Sequence, residues 1–294
     1  MKKFLVKVGI FFALLLVINL ALFITTAYFV RKNTSFKLPD AKNILVLGDS
    51  QTETSINDSL LTNVANVSQS ADAYLYSYVK LKLFLDQNPQ LDTILLSISY
   101  TNLNKEKDLW VTDTRYSWKI QTYLPFFRPD DYVNFMFNKE FHRLWFRMPF
   151  YNKNFFLKRY TYSDLDFGGY EYLERQKLEE DLKNQSNTAP EPTLKSSYQE
   201  KYLFKIIEEC KSRHVQLIFL TPPIYAKRIN NFDTARYYRY YREKLHEYPL
   251  LDFSDLSFPD SYYGDIEHLN FNGAKAFTPI FQQRLVEIHR KRLR

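Results

Sequence analysis

Ser50 follows an apolar run, Ile44–Leu47, in the stretch "NILVLGDSQTETSIND". More than two hundred residues later, Asp265 and His268 stand three apart in "YYGDIEHLNFNGAKAF". A serine hydroxyl is a weak nucleophile until a base takes its proton, and the base needs an orienting carboxylate. A carboxylate three residues ahead of a histidine on a loop can curl back onto the imidazole Nδ1–H. The other ring nitrogen, Nε2, is then free to face Ser50. Gly48 is one of only 6 glycines in 294 residues, and with Asp49 it precedes the serine. A serine opening a helix has exposed backbone N–H groups and a dipole that favours developing negative charge. The plainer alternative is a turn in which Ser50 merely caps the helix. His268 alone would likewise read as a structural hydrogen-bonder, and Asp265 as a loop-capping acid.

These residues need a scaffold that brings distant segments together, and the patterning supplies one. Ile44–Leu47 reads as a strand, Ile56–Asn63 as a short helix and Val64–Val67 as a second strand. In "ADAYLYSYVKLKLFLDQNP" the four-residue spacing of Leu75, Val79 and Leu83 suits an amphipathic helix stopped near Pro89. Asp92–Ser99 is an apolar strand of the kind buried on both faces. A helix in "SSYQEKYLFKIIEECKSRH", a strand in "VQLIFLTPP", a helix over Thr234–His246, a short strand in "PLLDFSDL" and a closing basic helix from Asn272 follow. Alternating βα units predict a parallel sheet with helices on both sides. In such a sheet the loops at the carboxyl ends of the strands converge, so Ser50 and His268 can meet.

The N-terminus predicts a membrane segment. Lys2, Lys3 and Lys7 precede the uncharged run Val8–Val30, which is long enough to cross the hydrocarbon core as a helix. A cleaved signal peptide has a shorter apolar region and a small-residue site, for which Thr25-Thr26-Ala27 is a weak candidate, so an uncleaved anchor is the favoured reading. Lysines ahead of the span predict a cytoplasmic tip and an exported body. The expected organisation is a tip at 1–7, an anchor at 8–30, a polar stalk at 31–42 and a domain at 43–294. An aromatic-rich insertion at about 105–190 interrupts that domain. It reads as a lid over the sheet whose aromatics are core or, alternatively, line a cleft or membrane-proximal surface, with an exposed helix in "EYLERQKLEEDLKNQ".

Charge and cysteine usage exclude several classes. The net charge of +7 resides in the three lysines before the anchor and in Arg290, Lys291, Arg292 and Arg294, so the rest of the chain is neutral. A nucleic-acid binder would carry basicity on a folded face. The single cysteine, Cys210, rules out an intramolecular disulfide and a multi-cysteine metal site. No His-x-x-x-His or carboxylate cluster suggests a metal, and chemistry by a serine, a histidine and an aspartate needs no cofactor. His142, His214 and His289 lack an acid three residues before them, His246 follows Glu243 within a charged helical stretch, and all four read as structural or surface groups.

Gly48-Asp49-Ser50 after the first strand and Asp265-x-x-His268 before the last helix together resemble the SGNH (GDSL-type) hydrolase superfamily. The resemblance implies a three-layer α/β/α, flavodoxin-like parallel sheet. Ser50 would be the nucleophile, His268 the base and Asp265 its orienting acid. It also implies an oxyanion hole from the backbone N–H groups of Ser50 and Ala71 and the side chain of Asn102. The family's second block is Asn-x-x-x-Ser-Gly-Asp, where this chain has "NVSQSAD" with Ala71 in place of the glycine. The third is Gly-x-Asn-Asp, where "SYTNLN" keeps Asn102 alone. The resemblance covers about residues 42–104 and 210–290.

The single anchor is similar to that of membrane-tethered members that act on acyl groups of envelope glycans. The expectation is ester hydrolysis or O-acyl, chiefly acetyl, transfer on such a glycan or a related ester. The competing expectations are a catalytically silent module that binds glycan or scaffolds a complex, and a structural membrane protein with no site. Tyr225, after Thr221-Pro222-Pro223, either lines the pocket or belongs to a rigid strand end. Protein partners are not indicated.

Overall fold

A computed structural model describes residues 1–113, 116–135, 146–148, 159–184, 195–226 and 233–292. These fall into two compact units, residues 36–110 with 167–294 and residues 1–35 with 111–166.

The larger unit is built on five short strands: β1 (Ile44–Leu47), β2 (Val64–Asn66), β3 (Thr93–Ser97), β4 (Gln216–Thr221) and β5 (Leu250–Asp252). All neighbours are parallel, in the order 2-1-3-4-5, and Leu45 lies beside Ala65 on one side and Ile94 on the other. This is the flavodoxin-like order, so the expected α/β/α class holds. The helices are α1 (Ser50–Ser55), α2 (Tyr74–Gln87), α3 (Leu178–Asn184), α4 (Ser197–Ser212), α5 (Thr234–Tyr240) and α6 (Phe271–Arg292).

Period-2 alternation sends successive strand side chains to opposite faces. Ile44, Val46, Leu95, Ile218, Leu220 and Leu251 form one core with Phe277, Phe281 and Leu285 of α6. Leu45, Leu47, Ile94, Leu96, Leu217 and Phe219 are buried as well, and α2 packs on β1, α4 on β4 and the two helices on each other. Burial on both faces is why these strands read as continuous apolar runs rather than alternating ones.

Two expected elements lie elsewhere. The helix anticipated over Ile56–Asn63 instead spans Ser50–Ser55, with a single 3₁₀ turn at Asp58–Leu60. Asp49 caps the earlier start by accepting from Gln51 N–H, and Asn66 closes the end by donating to the carbonyls of Thr52 and Ile56. The helix anticipated over 171–185 shrinks to α3, and residues 168–177 form a strap outside any helix or strand. Backbone bonds of that strap go to other segments: Gly169 N–H to Ser68, Glu171 N–H to Glu53 and Lys177 N–H to Gly264.

The smaller unit starts with the helix Lys2–Asn33, which is long and apolar enough to cross a membrane. Most of its length is exposed, but Phe23, Thr26, Ala27 and Val30 are buried, and it packs on the turn Leu124–Phe126. Arg31 donates to the carbonyls of Pro125 and Phe127. Thr34–Ser35 pairs in parallel with Tyr160–Thr161. Much of the insertion thus groups with the N-terminal helix, while 105–110 and 167–184 group with the sheet.

Within the stretch expected as a polar stalk, 31–42, two apolar residues are packed. Phe36 and Leu38 are buried in the larger unit, and their backbone N–H groups bond Gln87 and Asn88. Phe36 also sets its ring edge-on against Phe84 and Phe167. Two apolar residues in a short polar stretch were enough to tie it down. His142 and the aromatic run 136–145 lie outside the described residues, as do 149–158.

Candidate functional site

Because the sheet is wholly parallel, the segments after β1, β2, β3 and β4 emerge on one edge. Gly48 carries the close approach at the first of these. A Cβ there would sit 2.0 Å from Thr52 Oγ1 and 2.6 Å from Ser97 Cβ, so α1 and β3 can converge only on a glycine. That answers why a glycine-poor chain keeps one at this junction. Asp49 is buried, accepts from Gln51 N–H at 3.2 Å, and receives the side-chain amide of Asn102 at 3.1 Å. Ser50 then opens α1.

The histidine arrives on a tight loop. Tyr263 and Leu269 form an antiparallel bridge, and Gly264 N–H bonds His268 O at 2.9 Å. Asn270, fully buried, accepts from the N–H groups of Asn272 and Gly273 and thereby caps α6. Gly273 admits the loop, since a Cβ there would lie 2.2 Å from Tyr262 O.

The structure brings the three predicted groups together. His268 Nε2 lies 2.7 Å from Ser50 Oγ, and Nδ1 lies 2.8 and 3.0 Å from the two Asp265 oxygens. The arrangement fits an Nδ1–H donor to Asp265 and an Nε2 acceptor from the serine hydroxyl. Asp265 also accepts from the backbone N–H groups of Glu267 and His268 at 2.8 and 2.9 Å.

Burial pushes the Asp265 carboxyl up, but the His268 hydrogen bond and charge, the Glu267 N–H and Arg175 outweigh it and hold the group below the usual carboxylate range. For His268, burial works against the charged form. The hydrogen bond and charge of Asp265, helped by Glu267 and Asp49, prevail and raise it above the ordinary histidine value. Such an imidazole is a base fixed in one tautomer and strengthened for accepting a proton.

The remaining predicted residues divide. Ala71 adopts φ +58°, in the turn where Asp72 N–H bonds Gln69 O. This left-handed backbone explains why a glycine is expected at the position. Asn102 is buried, accepts from Ser99 N–H and donates to Asp49, so its side chain braces the loop after β3 against the loop after β1. Tyr225 belongs to the core: it is buried, donates to Asp260 at 3.1 Å and packs edge-on to Tyr263.

The sequence reading missed two cations. Arg175, on the 168–177 strap, pairs with Asp265 Oδ2 and brings Nη2 to 3.4 Å from His268 Nδ1. Lys107 lies 3.9 Å from Asp49 and over the Trp110 ring at 3.6 Å. Burial depresses the Lys107 ammonium, against the pull of Asp49, Glu267 and Glu106. Neither residue belongs to a local pattern that could have marked it. A cavity of about 10 Å³, room for about one water, adjoins Gln51, Ser99, Tyr100 and Thr221. Among the described residues no group of histidine, cysteine and acidic side chains could hold a metal.

Comparisons with known proteins concern the fold. A candidate acylhydrolase structure from Bacteroides fragilis is 11% identical, covering 89% of this chain and 94% of its own, with a TM-score of 0.39. A candidate platelet activating factor structure from Streptococcus pneumonia is 13% identical, covering 94% and 99%, with a TM-score of 0.43. A GDSL-like lipase structure from Bacteroides thetaiotaomicron is 10% identical, covering 90% and 99%, with a TM-score of 0.40. A family model that carries no descriptive name matches residues 149–290. No curated protein sequence matches the chain.

Proposed function

We propose that this chain is a membrane-anchored serine esterase or O-acyltransferase acting on an acylated envelope glycan or a related ester. The observation that carries the reading is the 2.7 Å contact of Ser50 Oγ with His268 Nε2, together with the bond from the same imidazole to Asp265. Ser50 Oγ attacks the ester carbonyl carbon as His268 Nε2 takes its proton. The tetrahedral oxyanion collapses, the C–O bond breaks, and His268 returns the proton to the departing alcohol. Water or a sugar hydroxyl, deprotonated by the same histidine, then attacks the acyl-serine; the acyl C–Oγ bond breaks and His268 returns the proton to Ser50 Oγ. The resemblance supplies the oxyanion donors: the N–H groups of Ser50 and Ala71 and the second amide hydrogen of Asn102, whose first goes to Asp49. Gly48 and Asp49 hold the serine in place.

The anchor is read as uncleaved and the body as exported. Cutting after Ala27 would remove Phe23, Thr26 and Ala27 from the buried face of the smaller unit, which supports retention. The lysines ahead of the span support the orientation.

A second reading, a silent binding module, draws on the tie of Asn102 to Asp49 and the small adjoining cavity. The full chain in detergent, treated with a fluorophosphonate and read by intact mass, separates the two. One adduct, absent in Ser50→Ala, is the expected result. A folded wild-type chain that takes up neither this reagent nor a smaller ester probe would leave the silent module.

A further inference from the structure

The strap at 168–177 does more than cross between segments. Phe271 N–H bonds Leu173 O at 3.0 Å, Lys177 N–H bonds Gly264 O at 2.7 Å, and Tyr172 stacks on Phe271 with ring centroids 4.7 Å apart. A Cβ on Gly264 would lie 2.7 Å from Leu173 Cδ2 and 3.0 Å from Arg175 O, so loop and strap are in close register. Arg175 is therefore delivered to Asp265 by backbone anchors on both sides of it. Its side chain is 39% exposed, which leaves the guanidinium accessible to solvent while it holds the carboxylate.

We infer that Arg175 is a positioning residue that sets the basicity of His268 by acting through Asp265. This deepens the proposed function and rests on it. Asp265 has two oxygens; Oδ1 takes the two backbone N–H groups and the nearer imidazole contact at 2.8 Å, while Oδ2 takes Arg175 and lies 3.0 Å from the same imidazole nitrogen. The guanidinium thus fixes the rotation of the carboxylate about its own bond. With Nδ1 donating to Asp265, the 3.4 Å approach of Nη2 is a like-charge contact once the imidazole is protonated. Arg175 consequently offsets part of the pull by which Asp265 favours the charged imidazole.

Among the described residues, four charged groups act on or touch His268. Asp265 and Glu267 share its loop, Asp49 faces it from the start of α1, and Arg175 faces it from the strap. Lys107 interacts with Asp49 and Glu267 from the segment after β3. Among the described residues Arg175 is the cation in direct contact with the pair, so neutralising it has a defined sign.

The test is a titration of His268 by NMR on the full chain in detergent, with ring-labelled histidine. There are only 5 histidines in the chain, and the His268 signal is assigned by its loss in His268→Gln. Arg175→Gln and Arg175→Ala remove the charge, and Arg175→Lys keeps it. In both neutral variants the midpoint should rise by about half a pH unit, the effect of one partly screened charge at this range. In Arg175→Lys it should stay near the wild-type value. The acidic limb of fluorophosphonate labelling should move by the same amount.

An unchanged or lowered midpoint in the neutral variants, or an equal shift in Arg175→Lys, would overturn the inference. The titration does not depend on catalysis. A wild-type chain that fails to label would count against the proposed function while leaving the role of Arg175 to be decided by the NMR midpoints.

Discussion

The two ends of the parallel sheet offer opposite combinations of space and chemistry. The amino end has an opening of about 770 Å³ whose lining includes Asp92, Cys210, Lys211, His214 and Arg290. Its nucleophile is disarmed: Cys210 is buried and its thiol is pushed up to about 12, first by burial and then by the Glu209 charge. His214 there holds a turn with φ +57°, its N–H bonded to Lys211 O. At the carboxyl end, a cavity of about 10 Å³ lies beside the serine's helix. Yet there a hydroxyl, an imidazole and a carboxylate share directed bonds of 2.7 to 3.0 Å. Volume marks where side chains leave a gap. Reactivity needs a base aimed at a nucleophile and a partner that fixes the base.

The largest expected effect breaks the comparison most directly. Ser50→Ala or His268→Ala should lower the fluorophosphonate reaction by about 10⁴-fold or more, since such groups act as a unit. Cys210→Ser and His214→Ala, at the amino end, should leave the rate unchanged. A rate loss in the second pair with none in the first would relocate the chemistry.

Asn102→Ala should reduce turnover of a small ester by about 10²–10³-fold if its amide supports the oxyanion. The same change leaves Asp49 without one of its donors. Thermal unfolding distinguishes the two contributions, because an oxyanion effect lowers the rate with no matching loss of melting temperature.

Gly48→Ala should destabilise by about 2–3 kcal/mol, measured by denaturant unfolding, because the new methyl collides with Thr52 and Ser97. Wild-type stability in this variant would mean that α1 and β3 are further apart.

The pH dependence of the site should have two limbs of opposite sense. His268 has a raised folded value, so its stabilising contribution is full below the unfolded value of about 6.5 and is lost as pH rises through the folded one. Asp265 has a depressed value, so its contribution is present above the unfolded value of about 3.9 and is lost as pH falls through the folded one. The pair therefore stabilises most in weak acid. Labelling of Ser50 should instead climb as His268 loses its proton. Melting temperatures and labelling rates across the same buffers, compared with His268→Gln, test this; parallel profiles would contradict it.

The smallest effect concerns the turn after β2. Ala71→Gly should stabilise by up to about 1 kcal/mol, by relieving a left-handed alanine. A lowered melting temperature would show that the methyl packs favourably enough to offset its backbone cost.

Much of the fold was legible because its signals are local. Apolar runs such as Thr93–Ser97 and Gln216–Thr221 are buried on both faces, and a run with no polar partner pattern reads as a central parallel strand. The bracketing of Ser50 and of Asp265 with His268 was legible too, since each lies within a few residues of a strand end or a helix start. The start of α1 was misplaced because the apolar residues from Ile56 outweighed a cap at Asp49 that only its geometry reveals. The strap was misread as helix because its composition suits one, while its backbone groups are drawn to Ser68, Glu53 and Gly264. The burial of Phe36 was not legible because it packs on Phe84 and Phe167, neither of them near in sequence.

The chain by itself determined the residue types available for chemistry, the alternation that builds the sheet, and the apolar helix at its start. Each rests on a period or a spacing of a few residues, which covalent connectivity alone imposes. Tertiary structure decided that Ser50 and His268, 218 residues apart, share a hydrogen bond. It also decided that Arg175, 90 residues ahead of Asp265, holds the carboxylate. Those contacts depend on where a parallel sheet and a backbone-anchored strap return the chain, and no local pattern encodes the point of return.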